Sequence, residues 1–251
     1  MTNRDLYRRT FSKLHSSPDF HVEAKTMHLR KPIGSLLAAA ILVAVLTCAA
    51  VAGMRFLTPA ETARQAGDTT LAAALEAPGA LALNESQTFG PYTIDLLGVV
   101  SGENLSDFAP SEALDTARSY LVAAVRRSDG RSIETAGETG IQFSPLISGL
   151  DVGRVNAWTL SGGVTSFVQD GVEYIIFDCA TLEPFADHTI YFAAYEGFVP
   201  NDSIFAMDPQ TGEISFAEGY DGPGALFTIP LDSSKADSAA AEEILSRSGL
   251  S

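Results

Sequence analysis

The pattern of apolar and polar residues divides the chain into regions of different periodicity. From residue 33 to residue 54 no side chain is charged, and leucine, isoleucine, valine and alanine dominate. At about 1.5 Å of rise per helical residue, this run is long enough to cross the roughly 30 Å hydrocarbon layer of a bilayer. The pattern therefore predicts a transmembrane helix over residues 33–54.

From about residue 85 the apolar positions recur with a period of two, which is typical of β-strands. Residues 120–125 are apolar on both faces and are expected in the centre of a sheet. Turn residues indicate two hairpins, one around Asp170-Gly171 and one around residues 208–212. About eight short strands over residues 85–232 favour a mainly β fold, specifically an antiparallel immunoglobulin-like β-sandwich.

Helical patterns flank the predicted sandwich on both sides. Residues 55–84 are interpreted as a membrane-proximal linker acting as a spacer, with an alanine-rich helix near 59–76 that begins after Thr58. Residues 233–251 are expected to form a C-terminal helix and tail, because Ile244 and Leu245 follow an alanine run.

Residues 1–32 carry the pattern of two short helices with small apolar faces. In the first helix the apolar side chains recur at helical spacing, and in the second they follow Ser17 and Pro18, which favour a helix start. A segment this short has no core of its own, so its apolar faces must pack on each other, on the membrane or on a partner protein. The residues predicted to bind a cytoplasmic partner are Tyr7, Phe11, Leu14 and Phe20.

The distribution of charge predicts the orientation of the span. Residues 1–32 carry seven Lys or Arg against three Asp or Glu, a net +4, whereas residues 55–251 carry nine against 28, a net −19, and together these give the −15 of the whole chain. Arg30 and Lys31 directly precede the span, and basic residues beside a span are retained in the cytoplasm. The N-terminus is therefore expected in the cytoplasm, with the acidic β-domain outside the cell membrane.

Three alternatives for residues 33–54 stay open. Ala50-Val51-Ala52 resembles a signal-peptidase site, so the run could belong to a cleaved signal peptide. Cys48 permits a lipoprotein reading, although Thr47 stands where a smaller residue is expected. A buried helix of a soluble protein would require burial on all sides, because the run has no polar face.

No catalytic, metal-binding or cofactor-binding constellation stands out in the sequence, and the chain is expected not to be an enzyme. His188 is the only histidine after the apolar run and is interpreted as a satisfied or solvated side chain. The cysteines are Cys48 and Cys179, and Cys179 follows an apolar strand as a buried residue would. The acidic residues show no calcium-loop order and no spacing that establishes a glycosidase pair. Their excess disfavours nucleic acid as a partner.

Four stretches of the chain resemble a Gram-positive, Firmicute-type family of single-pass membrane proteins of unknown function that are anti-sigma-factor-like. The stretches are FSKLHSSPD at 11–19, LGVVSGENLSDF at 97–108, FVQDGV at 167–172 and YDGPGALF at 220–227. The resemblance implies cytoplasmic helices that hold a sigma factor and an outer domain that senses the envelope. It supplies no catalytic residue. The first 47 residues contain no cysteine and so lack the His-x3-Cys-x2-Cys pattern of zinc-containing anti-sigma domains.

The expected function is therefore that of a non-enzymatic, membrane-anchored envelope sensor or regulator. Its outer domain would bind an envelope ligand or partner, and its cytoplasmic segment a sigma factor or another regulator. The alternative is a structural or adhesive cell-envelope module, anchored or secreted, whose basic N-terminus serves only to set membrane topology.

The predicted topology can be tested with an epitope tag placed after Ser251. In intact, wall-stripped cells we expect external protease to remove the tag, because the chain after residue 54 lies outside the membrane. A tag placed before Met1 serves as the control and should be cut only after the membrane is permeabilised. Protection of the C-terminal tag in intact cells would contradict this orientation.

Overall fold

A computed structural model describes residues 56–101 and 117–247 of the chain. They belong to one compact unit of the chain, Arg55–Ser251. The predicted transmembrane helix at 33–54 and the helical segment at 1–32 lie outside the described residues. None of the helices within 56–101 and 117–247 has the length and apolar character needed to cross a membrane.

The described residues form mainly antiparallel β-structure, as the period-two pattern predicts. Two of the three sheets are large: a five-stranded sheet in the order β1-β2-β3-β6-β5 and a three-stranded sheet in the order β10-β7-β4. Strands β8 and β9 form a separate hairpin. The strands are β1 Leu81–Phe89, β2 Tyr92–Val100, β3 Arg118–Arg127, β4 Gln142–Ile147, β5 Gly163–Gln169, β6 Val172–Ala180, β7 Ile190–Tyr195, β8 Phe205–Met207, β9 Ile214–Phe216 and β10 Gly224–Ile229.

Both predicted hairpins are confirmed, and the first has the geometry that its turn residues favour. Asp170 and Gly171 connect β5 to β6 with φ angles of 53° and 77°. Positive φ at both positions matches the right-handed twist of the paired strands, and an Asp-Gly pair adopts it readily. Strands β8 and β9 pair around residues 208–212.

The inner faces of the two large sheets share one apolar core. Strand β3 is the central strand of its sheet, as predicted, and Leu121 and Val125 are buried on its inner face. Phe177 of β6 meets Phe192 of β7 across the core, with ring centroids 5.4 Å apart. The fully buried Cys179 belongs to the same cluster, which confirms the interpretation of this cysteine as a core residue.

The five-stranded sheet is wider than the three-stranded sheet. On one side of the fold, a side chain of the wider sheet forms hydrogen bonds to the narrower sheet. On the β1 side, the amide group of Gln87 donates to the Leu226 carbonyl (2.8 Å) and accepts from the Leu226 N–H (2.9 Å). This side chain therefore takes the place of a strand pair between β1 and β10. On the opposite side the five-stranded sheet ends at β5 and the three-stranded sheet ends at β4.

Two helices pack on the outer face of the five-stranded sheet. They are α1 Pro59–Gln65 and α2 Thr69–Glu76, and the predicted single helix over 59–76 is interrupted at Gly67, whose φ is 90°. Thr58 caps α1 in a capping box with Glu61, and Asp68 caps α2 by accepting the Leu71 N–H at 2.7 Å.

The helix pair is part of the folded unit rather than a free spacer. Ala63, Leu71 and Ala72 are buried in one cluster with Val100 of β2 and Ile176 of β6. The expected start of the β-domain at residue 85 also falls inside β1, which begins at Leu81. The helices pack on the sheet because their small alanine side chains let them lie close to its outer face and exclude water from it.

The C-terminal segment contains a short helix, as expected. A 3₁₀ turn at Ser233–Lys235 precedes α3, Ser238–Arg247. Ile244 of α3 is buried against the main core, so this helix is also part of the folded unit.

The contact between α1 and β2 depends on Gly98. A Cβ atom at this position would lie 2.8 Å from Cγ of Pro59 and 3.1 Å from the Leu81 carbonyl oxygen. We expect Gly98→Ala to lower the free energy of unfolding by about 1–3 kcal/mol, because overpacking forces backbone to move. Denaturant unfolding of Gly98→Ala beside Gly219→Ala checks this, since a Cβ at Gly219 meets nothing within 4 Å. Equal stability of the two variants would contradict this account of the contact.

Candidate functional site

The residues predicted to bind a cytoplasmic partner lie outside the part of the chain that the structure describes. Tyr7, Phe11, Leu14 and Phe20 all precede residue 56, where the description begins. Their role stays a prediction from sequence. The functional features described below belong to the β-rich unit.

His188 is held by the main chain and does not face a nucleophile. Its Nδ1 lies 2.7 Å from the carbonyl oxygen of Ser148, so Nδ1 carries the proton and donates it. The Ser148 hydroxyl accepts the Thr189 N–H at 2.9 Å. The nearest acid, Asp187, lies 3.8 Å from Nε2 on the exposed side. This geometry agrees with the interpretation of His188 as a satisfied side chain.

Other reactive side chains in the described residues are placed as structural groups. Burial raises the pKa of Cys179 to about 12, which keeps the thiol protonated and unreactive at neutral pH. Within residues 56–101 and 117–247, no three His, Cys, Asp or Glu side chains come together as metal ligands would.

A cavity of about 330 Å³ opens where the five-stranded sheet extends beyond the three-stranded one. Val164 and Ser166 of β5 and Glu173 of β6 line it from the wider sheet, and Phe143 of β4 lines it from the narrower sheet. Trp158, from the turns between β4 and β5, also lines the cavity. Its size is at the lower end of the range of small-ligand sites, which are about 300–1,000 Å³.

The unequal width of the sheets explains why the cavity exists. In the middle of the fold, Phe177 and Phe192 fill the space between the inner faces. Near β5 the inner-facing side chains border the cavity, whose other walls include turn residues such as Trp158 as well as Phe143 of β4. Gly162 belongs to these turns, and a Cβ there would clash with the Ala157 carbonyl at 2.8 Å.

Glu173 is a buried acid on the inner face of β6, and only 2% of its surface is exposed. Oε1 accepts the Gly137 N–H at 2.6 Å, and Oε2 accepts the Thr139 hydroxyl at 3.3 Å. Both oxygens therefore act as hydrogen-bond acceptors. Among the described residues no Lys, Arg or His forms an ion pair with it. A buried carboxylate that carries a charge normally has a cationic side chain as its partner.

Asp95 shows the usual arrangement of a buried acid in the same sheet. It is 7% exposed, accepts a hydrogen bond from the Ser86 hydroxyl and pairs with Arg126, whose Nε lies 3.1 Å from Oδ2. Of these two carboxylates, only Asp95 has a cation beside it among the described residues. Only Glu173 borders the cavity.

Two exposed aromatic rings pack together beside the cavity, and one of them, Trp158, forms part of its rim. Trp158 is 61% exposed and Phe198 is 74% exposed, and their ring centroids lie 5.0 Å apart. The indole N–H donates weakly to the Phe198 carbonyl at 3.4 Å. An aromatic pair that stays in solvent beside a cavity is typical of a binding surface, because burying these rings against a ligand releases their hydration water.

Sequence reasoning did not find this site, although two signals point to it. Trp158 is the only tryptophan of the chain and lies in a segment with little regular structure. Glu173 is one of two acidic residues, with Asp178, in the mainly apolar strand Val172–Ala180. Neither signal shows that the two residues border one cavity, because that depends on how the two sheets are stacked.

In comparisons with known proteins, no family model, no curated protein and no solved structure matches this chain. The functional argument therefore rests on the geometry of the site itself. That geometry combines a small concave cavity, a buried anion and an exposed aromatic rim, which is suited to binding a ligand that carries apolar and cationic groups.

Neutralising Asp95 and Glu173, two of the three buried acids among the described residues, should separate a charge that stabilises the fold from one that does not. We expect Asp95→Asn to lower the free energy of unfolding by about 1–3 kcal/mol, because Arg126 loses its partner. Glu173→Gln should leave stability unchanged or raise it by up to about 1 kcal/mol, since the amide still bonds Gly137 and Thr139 and no cation is abandoned. Thermal and denaturant unfolding of both variants measures the contrast. An equal loss in both variants would show that the charge of Glu173 serves stability.

Proposed function

We propose that the chain is a non-enzymatic, membrane-anchored envelope sensor or regulator that binds its external ligand or partner at the cavity between β5 and β4. The observation that carries this proposal is the exposed Trp158, which lines the cavity together with the buried Glu173 and packs against the exposed Phe198. Exposed aromatic side chains next to a pocket are the groups that most often contribute binding energy at interfaces.

The strand order supports an immunoglobulin-like sandwich as the fold of the outer domain. In constant-type immunoglobulin domains one sheet has the order A-B-E-D and the other C-F-G. Strands β2-β3-β6-β5 and β4-β7-β10 have the same two orders. In this proposal β1 is an additional edge strand, and the β8–β9 hairpin is an insertion between the last two strands of the pattern. The fold hosts many binding functions, so this likeness is an analogy and the site carries the argument.

The charge distribution supports an extracytoplasmic location and argues against nucleic acid. Residues 55–251 contain nine Lys or Arg and 28 Asp or Glu. Several of the basic residues are already paired with acids, among them Arg64 with Glu76 and Arg118 with Asp178. The remaining acids leave a negative surface, which repels phosphate backbones and attracts basic ligands.

The regulatory part of the proposal concerns residues 1–32. The apolar set Tyr7, Phe11, Leu14 and Phe20 would bind a sigma factor or another cytoplasmic protein as helices in a groove. The apolar run at 33–54 would connect this segment to the outer domain across the lipid bilayer. If residues 1–32 bind no protein, a structural or adhesive envelope module is the better description.

Substitution of Trp158 tests the outer site. Calorimetric titration of the full-length chain with wall-glycan oligosaccharides and with short envelope peptides should show saturable binding by at least one of these classes. Trp158→Ala should weaken that binding by about 10-fold or more, because a large aromatic contact with the ligand is lost. Met207→Ala is the matched control, since Met207 is also exposed (40%) but does not line the cavity, and should change affinity by less than about twofold.

Two results would contradict the proposed site. One is the absence of saturable binding for every envelope component, and the other is equal affinity in wild type and Trp158→Ala. Circular dichroism and thermal unfolding of Trp158→Ala establish that the fold is intact, as expected for a side chain that is mostly in solvent.

A further inference from the structure

Strand β5 presents unused main-chain groups along its outer edge. The two-residue turn at Asp170-Gly171 makes Gln169 and Val172 a hydrogen-bonded pair, and such pairs alternate along antiparallel strands. The N–H and C=O groups of Val164, Ser166 and Val168 therefore point away from β6. Among the described residues, no hydrogen bond uses these outward-pointing N–H and C=O groups.

Among residues 56–101 and 117–247, nothing protects this edge in the way that other edges of the fold are protected. Strand β5 contains no charged residue and no proline, and Val164 is 57% exposed. Strand β1 is joined to β10 by Gln87, and β4 carries Pro145 and is covered where the Ala157 N–H donates to the Ser144 hydroxyl at 2.9 Å. Natural sheets normally block an open edge with charge, proline or a covering segment. An unblocked edge can accept an additional strand.

An additional strand that paired with the edge of β5 would also border the cavity. Side chains of paired residues lie on one face of a sheet, so Ser166 and Val168 share the inner face with their partners Ile175 and Glu173. A strand added to β5 would place its residue opposite Ser166 on this face and therefore in the cavity. Glu173 lines that cavity with both oxygens accepting from neutral donors only.

The charge of the site determines which side chain fits. Glu173 has no cationic partner among the described residues, and the unit that contains it is strongly acidic. A Lys or Arg side chain would supply the missing positive charge, and its methylene groups would lie against Trp158 and Phe143. A second copy of this chain does not fit, because β5 has no basic residue to insert and two acidic units repel each other.

We propose that β5 binds an extended peptide segment as an additional strand of the five-stranded sheet, with a Lys or Arg side chain of that peptide in the cavity against Glu173. The inference rests on the proposed function and narrows it, since it names the ligand class of the same cavity. In this arrangement main-chain pairing provides affinity, and the cavity selects the basic side chain.

The test uses the full-length chain in mild detergent and the probe peptide acetyl-Thr-Val-Thr-Lys-Thr-Val-Thr-amide. Trp158 is the only tryptophan, so its fluorescence reports binding at the rim directly. We expect saturable binding, at least about 10-fold weaker when the probe lysine is replaced by glutamate, because a carboxylate is repelled by Glu173. Replacement of the probe lysine by methionine keeps the shape of the side chain without its charge and should weaken binding by several-fold.

Two protein variants separate the charge from the strand pairing. Glu173→Gln should remove most of the difference between the lysine and methionine probes, whereas Glu218→Gln, an exposed acid that does not line the cavity, should preserve it. Ser166→Pro removes one outward N–H and should weaken both probes by about 10-fold or more while the pairing with β6 is kept. If Ser166→Pro does not fold, a probe with an N-methyl group on the lysine amide tests the strand pairing from the peptide side on the wild-type chain, because it removes the peptide N–H that would donate to a carbonyl of β5.

The inference is overturned if no probe binds, if lysine, methionine and glutamate probes bind equally, or if neither Ser166→Pro nor N-methylation weakens binding. Concentration-dependent dimerisation abolished by Ser166→Pro would also overturn it, in favour of pairing between two copies. Wall-glycan binding that depends on Trp158, without peptide binding, would leave the proposed function standing and remove only the peptide as ligand. Loss of every kind of ligand binding would remove both.

Discussion

Burial of one apolar layer between two sheets of unequal width is the constraint on which the rest of this structure depends. Where the sheets overlap, aromatic and aliphatic side chains such as Phe177 and Phe192 fill the layer. At each side, where the wider sheet extends beyond the narrower one, its inner face must be covered in some other way. Gln87 closes one side by bonding the main chain of β10, whereas on the other side turns replace a strand and leave a cavity. The cavity is thus a consequence of how the core is completed, and its walls are held by the same packing that holds the fold.

The helix pair has a related role on the opposite face of the wider sheet. Strands β2, β3 and β6 carry apolar side chains on both faces, so the outer face also requires a cover. Helices α1 and α2 supply it with alanine and leucine, and Gly98 allows Pro59 to approach the strand closely. A segment that follows the apolar run at 33–54 in sequence is therefore tied to the β-domain by buried contacts. This attachment places the first described residues, from 56, against the sheet rather than in solvent.

Local signals in the sequence predicted the elements that depend on neighbouring residues alone. The Asp-Gly turn, the Thr58-Pro59 helix start and the central position of β3 are of this kind, because turn chemistry, capping and two-faced apolar runs act over a few residues. The break at Gly67 and the packing of the helices were not predicted, since an alanine-rich run gives no sign of which surface it covers. Trp158 and Glu173 are 15 residues apart, and their common cavity follows only from the stacking of the sheets. The predictions for residues 1–54 concern a part of the chain that is not described.

The negative charge of residues 55–251 helps to explain how an edge strand without local protection among the described residues can persist. A neutral, partly apolar strand with free main-chain groups is a site for pairing between copies, and such pairing leads to aggregation. Here the edge itself carries no charge, yet the unit around it has 28 acidic and nine basic residues. Repulsion between two such units opposes the approach of β5 to β5, and the same field attracts a basic segment. The protection that most sheets place on the edge strand is thus supplied by the whole surface, which leaves β5 accessible to a partner of opposite charge.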